Sequence, residues 1–157
     1  MRISYIHRIQ CISVSNCEKA MSEKVFSWPV RIYYEDTDAG GVVYHANYLR
    51  YMERARNEWL RSLGRPIGEI NTQDGCLFVV ASLDISYKAP AKLDDQLMVT
   101  AELVQLKRVS MVLKQTVLRG EELITIANIN LVTVSKDTLR PIAIPQSLTN
   151  HPLLTRV

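Results

Sequence analysis

One amphipathic helix pattern, and only one, constrains what this chain can fold into. From residue 46 to 63, Tyr48, Met52, Ala55, Trp59 and Leu63 recur at steps of four and three, which places them on one face. Arg50, Glu53, Arg54, Asn57, Glu58 and Arg61 fill the remaining circumference. A helix of that span is about 27 Å long. Gly64 suits the position just past its end, and Pro66 blocks continuation. Everything downstream alternates with period two instead. "CLFVVASLDISYKAP" sets Leu83, Ile85 and Tyr87 against Ser82, Asp84 and Ser86. "QLMVTAELVQLK" and "SMVLKQTVLR" follow, and "RGEE" at Arg119–Glu122 reads as a hairpin turn into "LITIANINLVTVSK". In that last strand Ile124, Ile126, Val132 and Val134 share one parity, with Asn128 and Asn130 between them. At roughly 10 to 13 residues, these strands are about twice the usual length.

Ahead of the helix, "WPVRIYYED" reads as a short strand. Val30, Ile32 and Tyr34 alternate with Arg31 and Tyr33, and Pro29 stands near the start, where a missing N–H costs least. The order is therefore one strand, one long helix and four antiparallel strands: an α+β fold. A single apolar helix face calls for a single large sheet, and the simplest packing wraps that antiparallel sheet around the helix. One helix cannot cover both faces and both edges. A long exposed edge strand predicts pairing with a second copy, so at least a homo-dimer is expected.

At 157 residues, 47% hydrophobic and 22% charged, the chain is one ordinary globular domain. No apolar run approaches the roughly 18 residues of a membrane span. The formal charge is only +3, with Lys and Arg scattered. That distribution speaks against nucleic acid as a partner, which calls for a basic stripe. Cys11, Cys17 and Cys76 are an odd set without metal-ligand spacing, which fits a reducing cytoplasm and no metal site. Met1 to Ala20 has a different texture, mixing Arg2 and Arg8 with short apolar pieces, whereas Met21 opens a more ordinary "MSEKVFSWPVRIYY". Residues 1–20 are read as a non-native or disordered extension, and 21–157 as a single domain.

The chemistry concentrates in "YYEDTDAGGVVYHANYLRYMERARNEWL". Glu35, Asp36 and Asp38 run into Gly40–Gly41, then His45, then the helix. An anion ahead of a helix start lies near the positive end of its dipole, and the first helical N–H groups lack internal partners. A carbonyl between such a donor and a carboxylate is polarised on oxygen and open to attack at carbon. A carboxylate is a weak base and nucleophile, so the matching electrophile is a thioester. Asp38 would attack it directly or deprotonate a water; either route fits the residues. On composition alone the solvated turn or N-cap acid is the favoured reading of Asp38, and an aromatic packed at the helix start that of His45. Glu35 and Asp36 read as solvent-facing or turn-bracing, and Cys76 as a small core residue. No G-x-S-x-G elbow and no phosphate-binding loop is present.

The stretch "VRIYYEDTDAGGVVYHANYLRYMERARNEWLR" closely resembles the opening of the YbgC-type acyl-CoA thioesterases. These are bacterial hot-dog enzymes associated with the Tol–Pal system and grouped with the 4-hydroxybenzoyl-CoA thioesterases. The likeness continues through "SLDISYKAPAKLDD" and "RPIAIPQSL", from about Phe26 to Leu148. It implies the hot-dog fold, a homo-dimer or homo-tetramer, and cytoplasmic hydrolysis of an acyl-CoA or acyl carrier protein thioester without a cofactor. The family's catalytic carboxylate falls on Asp38 and its motif histidine on His45. Tyr44 and Asn47 become substrate-binding candidates, and Lys88, Lys92, Lys107 and Arg108 candidates for the phosphates of coenzyme A. Two other readings stand beside it. One is a hot-dog dehydratase of 3-hydroxyacyl thioesters using Asp38 and His45. The other is a non-catalytic acyl-carrier or envelope-complex partner.

Overall fold

The computed structural model describes residues 25–152 and residue 154; the expectation for residues 1–20 lies outside them. Along the chain come β1 (Phe26–Arg31), a 3-10 turn (Tyr34–Asp36), α1 (Asn47–Ser62), α2 (Ile67–Gln73), β2 (Cys76–Tyr87), β3 (Gln96–Leu106), β4 (Ser110–Arg119), β5 (Glu122–Ser135) and α3 (Gln146–Thr149). The five strands form one antiparallel sheet in the order β1-β3-β4-β5-β2. Its inner face takes Leu97, Val99, Ala101 and Leu103 from β3, and Met111, Leu113 and Val117 from β4. Against it lies α1, nearest to β1 and β3, with Tyr48, Tyr51, Met52, Ala55 and Trp59 buried. This is the antiparallel sheet around one long helix that the patterning predicts.

The helix is defined at its C-terminus by backbone geometry. Gly64 has φ +72°, its N–H donates to the Arg61 carbonyl at 2.9 Å, and the Arg65 N–H donates to the Leu60 carbonyl at 3.0 Å. That pair of bonds is the Schellman closure, which needs a left-handed residue at its centre. Beyond it, α2 packs on β2 with one buried side chain, Ile70. A seven-residue helix with one apolar anchor leaves no periodicity to read, and the sequence reading passes over it.

Three local expectations need correction. β1 ends at Arg31, and Tyr34 is 83% exposed rather than in line with Val30 and Ile32. The Asp36 carboxylate accepts the Tyr33 N–H at 2.8 Å and folds the chain into the 3-10 turn. Pro29 stands mid-strand opposite Met98, where an edge strand has a free side for a residue without an N–H. In β5 the inward parity is Thr125, Ala127, Ile129, Leu131 and Thr133; Ile126 and Val132 share the outer face with Asn128 and Asn130. In β2 a bulge between Val80 and Ser82 switches the inward parity from Phe78 and Val80 to Leu83, Ile85 and Tyr87.

β2 is the edge strand remote from α1. It is 12 residues long, and Val79, Val80, Leu83 and Tyr87 stay exposed, because α1 lies over β1 and β3 at the far end of the strand order. At Gly64 a Cβ would meet no atom within 4 Å, so only its backbone angle resists substitution. Gly64→Ala is expected to cost about 1 kcal/mol. Urea unfolding should show a lower midpoint at unchanged slope; an unmoved midpoint would mean that the closure contributes nothing.

Candidate active site

The segment from Asp36 to Asn47 is a short ladder that closes on itself. Thr37 and Val43 form an antiparallel bridge, the Asp38 N–H donates to the Val42 carbonyl, and the Gly41 N–H to the Asp38 carbonyl, both at 3.0 Å. Gly41 has φ +71°, the left-handed angle such a tight turn demands. Asp38 Oδ1 accepts the Gly40 N–H at 2.8 Å, and a Cβ on Gly40 would come 3.0 Å from that oxygen. Glycine at position 40 thus gives the carboxylate room to sit over the turn. Asp38 is exposed, and no described donor bonds its Oδ2.

Asp36 holds the ladder to the helix. Its carbonyl accepts the Tyr44 N–H at 2.9 Å and Asn47 Nδ2 at 3.0 Å, while its carboxylate holds Tyr33. Tyr51, fully buried, sets its hydroxyl beside that carboxylate though outside hydrogen-bonding geometry. Burial first, and Asp36 second, push the phenol well above its ordinary range. Asp36 is therefore the bracing acid, and Glu35 is exposed.

The start of α1 is open. Its N-cap is Ala46, no side chain caps it, and no acid lies in its first turn. The N–H groups of His45 and Ala46 bond to no acceptor among the described residues. These two N–H groups precede the first helical residue, where neither the helix ladder nor an N-cap side chain reaches them, so they stay available to a ligand. Beside them runs a groove of about 320 Å³ lined by Val43, His45, Tyr48, Tyr87, Lys88, Ala89 and Pro90. Tyr87 donates its hydroxyl to the His45 carbonyl at 3.0 Å, and Tyr48 Oη accepts the Ala91 N–H at 3.1 Å. Desolvation raises both phenols, so they remain neutral hydrogen-bonding groups at neutral pH. The far wall is held by Arg119, which donates to the Pro90 carbonyl at 3.2 Å and pairs with Asp95 at 2.6 Å.

The predicted residues fall into distinct places. His45 and Tyr44 lie side by side at the helix start, with ring centroids 4.4 Å apart and ring planes tilted by 56°. Asn47 is buried, its amide occupied by Asp36. Asp38 stands across the turn and makes no hydrogen bond to His45. Lys88 reaches the groove wall, and Lys92 lies in the loop held by Asp95. Lys107 and Arg108 belong to the β3–β4 hairpin, the whole length of β3 away from the site in the same chain. Tyr48 and Tyr87 were missed as groove residues because their positions match an ordinary helix face and strand face.

The profile of the thioesterase superfamily matches residues 40–126 of this chain, spanning the open helix start and the groove. The chain belongs to the thioesterase superfamily. It is 41% identical to the acyl-CoA thioesterase YbgC of Haemophilus influenzae over 82% of this chain and 94% of that protein. It is 40% identical to the acyl-CoA thioester hydrolase YbgC of Escherichia coli O157:H7, over 82% and 96%. The 4-hydroxybenzoyl-CoA thioesterase of Pseudomonas superposes with a TM-score of 0.76 at 24% identity, covering 81% of this chain and 98% of that one. The fold is the hot-dog fold of these thioesterases.

If Asn47 ties the loop to α1, Asn47→Ala should loosen it without unfolding the sheet. A lost hydrogen bond of about 1 to 1.5 kcal/mol corresponds to roughly tenfold faster amide exchange across residues 36–46. Hydrogen–deuterium exchange reads this directly; unchanged protection there would show that the bond does not restrain the loop.

Proposed function

We propose that this chain hydrolyses acyl-CoA thioesters to the free acid and coenzyme A, with Asp38 as the reacting carboxylate. The uncapped start of α1 carries this reading. A thioester oxygen seated on the His45 and Ala46 N–H groups would be polarised as charge develops on it. Asp38, on the facing arm of the same turn, would deliver the attack at carbon. Either its carboxylate takes a proton from water as the hydroxide adds, or it attacks directly and water cleaves the resulting anhydride. In both routes the thiolate leaves, takes up a proton and departs as coenzyme A. The chemistry needs no metal and no organic cofactor. The names of the YbgC relatives supply the carrier and reaction class.

Tyr44, at the rim beside His45, would contact the acyl group, and Lys88 at the groove would face the phosphates of coenzyme A. His45 contributes its backbone N–H and carbonyl, and Asn47 positions the loop for substrate. The exposed β2 edge, with Val79, Val80 and Leu83 on it, supports pairing with a second copy along that strand. A soluble catalyst acting in the cytoplasm fits this reading, and no described helix is long and apolar enough to cross a membrane.

Thiol release from a panel of straight-chain and aromatic acyl-CoAs tests it, with wild type and Asp38→Asn side by side. Wild type should turn over at least one member, and Asp38→Asn should lose about a hundredfold or more in kcat while keeping its unfolding midpoint. Equal rates for the two proteins would remove Asp38 from the reaction. Inactivity of wild type on every acyl-CoA would remove coenzyme A as the carrier.

A further inference from the structure

A second cavity, of about 370 Å³, lies between α1, α2 and the inner face of β2, β4 and β5. It shares no lining residue with the groove beside His45. Trp59, Leu60, Ile67, Phe78, Met111 and Leu113 make its apolar body, and Arg56, Glu53 and Asn57 its polar side. Arg56 is only 9% exposed. Its Nη1 donates to Gln115 Oε1 at 2.8 Å; Gln115 is itself fully buried and donates to the Met52 and Thr100 carbonyls. No carboxylate lies within salt-bridge distance of the guanidinium among the described residues. Among the described residues Glu53 is the one acid acting on it, and Glu53 is exposed at the rim. Burial lowers the Arg56 pKa, and Glu53 offsets only part of that effect.

A guanidinium has five N–H donors and keeps its charge when buried. Placing one in a core with a single neutral acceptor is costly, and the cost falls when an anion binds the free side of the fork. Plain hydrocarbon in this cavity would leave that charge uncompensated. The apolar body fixes the other half of the ligand: something compact that buries carbon against Trp59, Phe78 and Leu113.

We propose that this cavity binds a small carboxylic acid with an apolar body, its carboxylate seated on the Arg56 guanidinium. The inference does not depend on the thioesterase reading. The carboxylate has two sources: a free acid, or an acyl group bearing a second carboxylate at its far end.

Calorimetric titration of the full-length protein with phenylacetate and hexanoate, against phenylacetamide and hexanamide, tests binding without any variant. The acids should bind at least about tenfold more tightly than the matched amides. Arg56→Lys should weaken the acids about tenfold, and Arg56→Met should erase the acid preference while leaving the amides unchanged. Equal affinity of acids and amides for wild type, or no binding of either up to millimolar concentration, overturns the proposal and leaves Arg56 as a brace for Gln115. A kinetic arm separates the sources. A kcat/KM at least tenfold higher for dodecanedioyl-CoA than for dodecanoyl-CoA, chains long enough to cover the about 15 Å of helix between Ala46 and Arg56, assigns the site to the substrate. Equal values, with acid binding retained, assign it to a free acid.

Discussion

Burial of the apolar face of α1 against β1 and β3 decides where the helix begins, and the site is built at that beginning. With Tyr48, Tyr51, Met52 and Ala55 locked into the core, Asn47 has only one place to be. From there its amide reaches the Asp36 carbonyl, which also receives the Tyr44 N–H. The segment between is left just long enough for a tight turn, and that turn carries Asp38. A shift of one residue in the packing of α1 would rotate Asn47 by about 100° and release the whole arrangement.

The same packing explains what stays uncovered. A 16-residue helix is about 24 Å long and one helix wide, whereas the sheet has five strands. By lying over β1 and β3, α1 leaves β2 with exposed apolar side chains and leaves a cavity behind its C-terminal half. The edge, the groove and the cavity are three consequences of one coverage problem. A core with an empty flank can also keep a charged residue such as Arg56, which a fully packed flank would exclude.

The helix, the four long strands and the turn at Gly120 were legible in the sequence because long periodic segments report their own burial. The Gly64 terminus was legible because only glycine adopts that angle freely. The 3-10 turn at Tyr34–Asp36 was hidden because a hydrogen bond from the Asp36 carboxylate overrides the alternation of Val30, Ile32 and Tyr34. β5 was harder, since both of its faces carry apolar residues and only packing shows which is inner. At the site, Asp38 and the glycines stood out as a motif. The open helix start did not, because an absent cap has no residue to announce it. Arg56 drew no reading from the sequence; its burial depends on Gln115, 59 residues further along the chain.

The proposed reaction depends on the free N–H groups at the start of α1 polarising a bound thioester carbonyl. An infrared difference spectrum of Asp38→Asn with an acyl-CoA carrying ¹³C at the thioester carbonyl tests it most directly, because the variant holds substrate while the backbone donors remain. The carbonyl stretch is expected at lower wavenumber in the complex than in water. A bound carbonyl that stretches at its water frequency, or above it, would show that the donors do not polarise it and leave the helix start without a chemical role.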